Sequence, residues 1–290
     1  MATPLVIRDR NVMRGLILTN RTMGRRIGFI PTMGSLHAGH TSLVDRAVAE
    51  CDDVVTSIFV NPSQFGPQED FEQYPRDFDA DFNLLAQHDV RWIFAPDVHE
   101  MYPPGDSTRI EIGGPAEPYE GTLRPGHFSG VATIVFRLLQ AAPSHAVYFG
   151  AKDWQQVLVV RKMVHDLKLD VEVVTCPIVR DTDGLAMSSR NIYLSESERK
   201  QAQTIYAALE QAKQDWCRGL AINTIEQKLK DMLSAKEIQI DYADIVHAES
   251  LEKISEVSQN TPAIFLIACR VGSTRLIDNI LLPSQDLSSC

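Results

Sequence analysis

Two histidines, His37 and His40, lie in the stretch RIGFIPTMGSLHAGHTSLVDRAVAEC between Arg26 and Cys51. Imidazoles at this spacing at the head of a helix point the same way and can offer N–H donors to phosphate oxygens while staying largely neutral. The spacing also suits a metal, but zinc asks for a third ligand and no Cys or His cluster follows. A plainer alternative is that both rings only cap the loop. Further cationic groups are Lys152 in GAKDWQQVLVV and Arg190 in MSSR, the latter beside the hydroxyls of Ser188 and Ser189. A guanidinium can fork two phosphate oxygens while hydroxyls donate to others. Against this, a lysine is commonly a solvated charge, and Ser-Ser-Arg recurs in loops by chance. Gln64 can donate and accept at once, which suits a substrate bearing hydroxyl and carboxylate groups, or it is simply an exposed loop residue. Arg124 and His127 in RPGHFSGV can bind a carboxylate or phosphate, or form a salt bridge and a cap.

The elements that must position these groups follow from periodicity. Ile27 to Ile30 is apolar, Pro31 breaks the run, and Leu43, Val44, Ala47, Val48 and Cys51 form an amphipathic pattern: strand, loop, helix. Such a loop sets backbone N–H groups and a positive helix end at the carboxyl edge of a sheet, and Gly34 and Gly39 let backbone approach a ligand. Val54 to Val60 reads as a strand buried on both faces, so Gln64 falls just beyond a strand end. Residues 77–88 read as a helix and 90–96 as a strand. The Pro- and Gly-rich stretch that follows reads as loop or small antiparallel structure. Phe128 to Ala142 predicts a helix and Ala146 to Phe149 a strand. Gly150 then allows a tight turn into a helix with Val157, Val160, Met163, Val164 and Leu167 on one face.

With a last strand at Val171 to Thr175, this alternation predicts an α/β fold, a doubly wound parallel sheet over residues 27–175. Beyond Asn191 come a capping box at Ser195 and Glu198, two amphipathic helices and strand-like runs ending in TRLIDNI, which make a smaller α+β unit. The boundary is expected near Ile178, giving domains 1–178 and 179–290. MSSR, after the turn-forming DTDGLA, would lie at a hinge where the small domain closes over phosphates and excludes water.

The chain has 290 residues, 44% hydrophobic and 23% charged, as in ordinary soluble proteins. A formal charge of −10 argues against a broad nucleic-acid or anionic-membrane surface, so an anionic substrate must be drawn in by local cations. MATPLVIRDR lacks the pattern of a signal peptide, and no apolar run reaches membrane-spanning length. Five widely spaced cysteines without a CxxC pair suit free thiols in a cytoplasmic protein, with Cys176 and Cys269 in the core.

PTMGSLHAGH resembles the HxGH signature of the nucleotidyltransferase superfamily and, in its extended form, the pantoate:β-alanine ligase family. FVNPSQFGPQEDFEQYPRD is similar to that family's FVNPxQFGxxEDxxxYPRD, RPGHFSGV to RPGHFxGV, GAKDWQQ to GxKDxQQ, and MSSRN to the loop that answers to KMSKS in class I synthetases. Ala151, often glutamate, and Trp154, often a smaller aromatic, depart from the usual wording. The resemblance covers nearly the whole chain. It implies ATP-dependent condensation of pantoate with β-alanine through a pantoyl adenylate, releasing pyrophosphate and AMP.

It further implies ATP contacts at Met33, Gly34, Ser35, Leu36, His37, Ala38, Gly39 and His40, at Gly150, Ala151, Lys152 and Asp153, and at Val179, Met187, Ser188, Ser189 and Arg190. Catalysis would fall to His37, His40, Lys152, Ser188, Ser189 and Arg190, with His40 the proton donor. Gln64 and Gln156 would bind pantoate, with Arg124 and His127 as further substrate contacts. Mg²⁺ would be held by phosphates and water without a dedicated protein cage, and the enzyme would be a homodimer acting on small molecules alone. Two alternatives stay open. One is a superfamily transferase that leaves the AMP moiety in its product; the other is a nucleotide-binding module without activity.

Overall fold

The computed structural model describes residues 3–67, 69–254 and 262–283. The chain divides into two compact units, Met1–Pro177 and Ile178–Cys290.

The first unit runs β1 (Leu5–Ile7), α1 (Arg10–Thr22), β2 (Ile27–Thr32), α2 (Ala38–Glu50), β3 (Asp53–Ile58), α3 (Phe78–Leu85), β4 (Trp92–Phe94), α4 (Val98–Met101), α5 (Glu120–Leu123), α6 (His127–Ala141), β5 (Ala146–Gly150), α7 (Trp154–Asp166) and β6 (Glu172–Cys176). Its sheet is six-stranded in the order β1-β4-β3-β2-β5-β6, with every pairing parallel. Parallel strands need crossovers, and helices cover both faces. Successive residues of β2 serve opposite faces. Ile27 and Phe29 join a core with Met13 and Ile17 of α1, Val135 and Leu138 of α6, and Val157 and Met163 of α7. Ile30 joins a second core with Leu43 and Val44 of α2 and Leu85 of α3. Two-sided burial is why these strands read as near-continuous apolar runs.

Three features differ from expectation. β1 and α1 precede the first predicted strand, and β1 takes the edge beside β4. Three residues, with Leu5 56% exposed, are too few to carry a periodicity. Gly150 is no tight-turn glycine: its φ is −79°, open to any residue, and a Cβ there would meet nothing within 4 Å. Between α4 and α6 the loop that was one of the two expectations holds, with no strand, but it is interrupted by a 3-10 turn (Gly114–Ala116) and the short α5.

The second unit begins with a small hairpin in which the Met187 N–H donates to the Val179 carbonyl at 3.0 Å. Its turn depends on Gly184, at φ +88°, where a Cβ would lie 2.6 Å from the Tyr206 ring. Arg180 anchors it through paired bonds to the buried Asp278 at 2.6 and 3.0 Å. α8 (Glu196–Cys217) opens on the predicted capping box, Ser195 N–H donating to Glu198 at 2.8 Å. It and α9 (Ile222–Ser234) share a core with the antiparallel sheet β7 (Gln239–His247), β8 (Ala263–Val271) and β9 (Thr274–Leu282), through Trp216, Leu229, Phe265 and Ile267.

Cys51, Cys176 and Cys269 are free thiols, the last two buried. Cys290 lies outside the described residues.

Candidate active site

β2 and β5 are adjacent in the sheet, Gly28 pairing with Ala146, while the strands that follow each of them add on opposite sides. This is the topological switch point of a doubly wound sheet, where the loops at the carboxyl ends part and leave a crevice. The loop carrying HAGH follows β2, and the turn carrying Lys152 (Ala151–Asp153) follows β5.

α2 starts with His37 as its N-cap. His37 Nδ1 accepts from the Gly39 N–H at 3.1 Å, and His40 Nδ1 accepts from the His37 N–H at 3.3 Å. A capping box usually made by Ser or Thr with Glu is here made by two imidazoles whose centroids are 4.2 Å apart. The pattern assigns the tautomers: a nitrogen that accepts carries no proton, so each neutral ring holds its hydrogen on Nε2 as a donor. Burial, then the neighbouring His37 and the Lys152 ammonium, push His40 down to about 3, so it is neutral at physiological pH. Lys152 also lies 3.9 Å from the Asp153 carboxylate.

The loop ahead of α2 is pinned from α3. The buried Asp81 carboxylate accepts from the N–H groups of Ser35 at 3.0 Å and Leu36 at 2.7 Å. Gly34 has φ +79°, and a Cβ there would stand 2.7 Å from Asp81 Oδ2, so the close approach that this glycine permits is to Asp81.

β3 ends in a 3-10 turn, Pro62–Gln64, organised by the buried Asn61. Asn61 accepts from the Tyr102 hydroxyl at 2.8 Å and from Ser63, and donates to Gln64 Oε1 at 3.1 Å and the Gly130 carbonyl at 3.2 Å. Gln64 Nε2 lies 3.4 Å from the Met33 sulfur, which sets this glutamine beside the loop after β2. Arg124 directs its fork at Glu69, at 2.6 and 2.8 Å, which is the expected salt bridge; His127 is no cap, since α6 starts from Gly126 without a side-chain cap bond and the His127 ring reaches the Gln64 carbonyl at 2.8 Å. Burial raises Glu69, yet the bonds and charge of Arg124 outweigh it and hold the carboxyl at about 2. Of the glutamine pair, Gln155 is structural: buried, it donates to the carbonyls of Pro115 and Pro118 at 2.8 and 2.6 Å. Gln156 stands half-buried in the first turn of α7.

The first unit thus brings together Met33 to His40, Lys152, Gln64, Arg124 and His127. Val179, Met187, Ser188, Ser189 and Arg190 belong to the second unit. There Ser188 caps the 3-10 turn Ser189–Tyr193 by accepting from the Arg190 N–H at 3.3 Å.

The family model described as pantoate-beta-alanine ligase matches residues 5–281. The chain belongs to the pantoate–β-alanine ligase family. It is an enzyme of that kind. Two pantothenate synthetases illustrate the likeness. That of Thermotoga neapolitana is 49% identical over 264 residues, 90% of this chain and 94% of the relative. That of Rubrobacter xylanophilus is 45% identical over 98% of this chain and 100% of its own. The pantothenate synthetase structure from Thermus thermophilus has a TM-score of 0.89 at 44% identity, covering 95% of this chain and 98% of the other. The family's Francisella tularensis member, solved with beta-gamma ATP and β-alanine, has a TM-score of 0.81 at 32% identity, covering 96% and 97%.

Asn61, Glu69 and Asp81 were given no role from the sequence, although Asn61 and Glu69 stand in the quoted FVNPSQFGPQEDFEQYPRD motif. Asn61 had one visible signal, an Asn-Pro closing an apolar run. Glu69 carried no signal beyond its place in that motif and Asp81 none; their partners reveal the role of both.

Proposed function

We propose that this pantoate–β-alanine ligase uses ATP in two steps at the crevice between β2 and β5. A carboxylate oxygen of pantoate attacks the α-phosphorus of ATP, the bond to the bridging oxygen of the β-phosphate breaks, and pyrophosphate leaves. The amine of β-alanine then attacks the acyl carbon of pantoyl adenylate, loses a proton, and expels AMP as the C–O bond breaks. A carboxylate is a weak nucleophile toward an anionic phosphate, so alignment and charge neutralisation are the main tasks.

The observation that carries this reading is the meeting, at the switch point, of two Nε2–H imidazoles with the positive charge of Lys152. In it His37, His40 and Lys152 hold the triphosphate, with Met33 to Leu36, Ala38, Gly39, Gly150, Ala151 and Asp153 as further nucleotide contacts. Gln64 and Gln156 hold pantoate. Ser188, Ser189 and Arg190, with Val179 and Met187, are assigned to the nucleotide and the departing pyrophosphate. Among the described residues no group of three His, Cys, Asp or Glu side chains could hold a metal. The nitrogen-rich donor set fits Mg²⁺ only as an ion carried by phosphates and water, where it would neutralise phosphate charge. A cytoplasmic homodimer completes the reading; among the described residues no helix is long and apolar enough to cross a membrane.

The test is one assay with ATP, Mg²⁺ and pantoate, with and without β-alanine, following pyrophosphate and AMP separately. Without β-alanine, pyrophosphate should appear as a burst of about one equivalent per site, with free AMP only once β-alanine is added. An AMP moiety kept in the final product would favour another transferase. ATP binding without pyrophosphate would favour a non-catalytic module.

A further inference from the structure

The turn bearing Gln64 is clamped to α6 by a chain of polar contacts that begins at a carboxylate. Glu69 accepts from Arg124 Nε at 2.6 Å and Nη2 at 2.8 Å, and also from the Gly66 N–H at 3.2 Å within its own loop. Arg124 Nη1 stands 3.0 Å from His127 Nε2. A guanidinium has no acceptor, so Nε2 must accept and the His127 proton must sit on Nδ1, the reverse of the assignment at His37 and His40. His127 Nδ1 then donates to the Gln64 carbonyl at 2.8 Å. On the other side α6 runs directly against the turn: a Cβ on Gly130 would lie 2.2 Å from the Ser63 carbonyl oxygen. Asn61 meanwhile holds Gln64 Oε1, so the amide Nε2 is turned toward the loop after β2.

We infer that Glu69, Arg124 and His127 are positioning residues for Gln64, fixing its backbone so that its amide meets pantoate already oriented. This rests on the reading of Gln64 as a pantoate contact. It gives Arg124 and His127 an indirect role in place of direct grip on the substrate. The pair is sheltered, with side chains 17% and 24% exposed for Arg124 and Glu69, so loss of the carboxylate leaves Arg124 leaning on its longer contact, 3.8 Å, to the buried Glu120.

The test compares Glu69→Gln, His127→Asn, His127→Gln and Gln64→Ala in steady-state kinetics, varying pantoate and ATP in turn, with thermal melts to verify folding. Glu69→Gln should raise KM for pantoate about tenfold and leave KM for ATP within about twofold, the scale of one lost charge-assisted hydrogen bond. The Asn amide nitrogen falls where Nδ1 stands, and the Gln amide nitrogen where Nε2 stands. His127→Asn should therefore retain pantoate affinity that His127→Gln loses, a contrast that a merely structural role would not produce.

The inference is overturned if Glu69→Gln leaves or lowers KM for pantoate, as expected were the released Arg124 a direct ligand, or if KM for ATP rises equally. Should Glu69→Gln fail to fold, the two His127 variants decide, and equal behaviour overturns it. Normal pantoate kinetics in Gln64→Ala would instead remove the underlying assignment of Gln64. Impairment there with none in Glu69→Gln or His127→Gln would remove only the positioning role.

Discussion

His40 is half-buried beside His37 and the Lys152 ammonium, and its lowered pKa, about 3, fixes what it can do. In the proposed reading, the proton-donor role attached to it by resemblance would take the form of hydrogen-bond donation from a neutral ring. The profile of kcat/KM for ATP should therefore show no His40 limb between pH 5 and 8; a limb near 6.5 that disappears in His40→Gln would contradict this. Lys152→Ala should slow pyrophosphate release with pantoate by about two to three orders of magnitude, the usual loss for one transition-state donor. An effect confined to β-alanine affinity would sink that assignment. HAGH was legible in the sequence as a pair of donors or a pair of caps. The structure shows why the choice was false: Nδ1 makes the cap and Nε2 keeps the donor. Arg124 left a similar choice open, salt bridge or substrate contact, because its partner Glu69 lies far off in the chain.

The element that matters most is the loop between β2 and α2, whose backbone hangs on a carboxylate from α3. Asp81→Asn should raise KM for ATP while changing that for pantoate little. Gly34→Ala should do the same and lower unfolding stability by roughly 1–3 kcal/mol, since it sets a side chain at positive φ against Asp81. Equal effects of Asp81→Asn on both substrates, or a Gly34→Ala melt like that of the parent, would refute these expectations. DADF at the head of α3 reads as solvated acid, and nothing local in it marks Asp81 as an anchor. The strand-helix alternation from Ile27 onward was legible because each strand is apolar on both faces. β1 was not, being three residues on a sheet edge.

On the scale of the whole molecule, the amino ends of the strands are tied by the buried Asp53 at β3, which Arg25 and Arg91 grip together. Burial pushes its carboxyl up, but the two guanidinium bonds outweigh this and hold it below the usual range. A lowered carboxylate contributes stability that is fully present above its unfolded value, near 4, and lost as pH falls through the folded one. Glu69 behaves likewise, its window running from roughly pH 4 to about 2. Urea midpoints should thus decline below about pH 4, and Asp53→Asn should flatten that decline; parallel curves would assign the acid sensitivity elsewhere. Strand order itself was not legible, because nothing in local sequence states that β5 docks beside β2.

That adjacency also governs how the pocket comes into being. As synthesis proceeds, a nascent chain that has emerged through β4 already carries both imidazoles, yet the ammonium that faces them arrives only when β5 inserts next to β2 through contacts remote in sequence. Such closures come late and slowly. In the proposed reading, full grip on the triphosphate waits on this pairing, because it is β5 that brings Lys152 to the loop after β2.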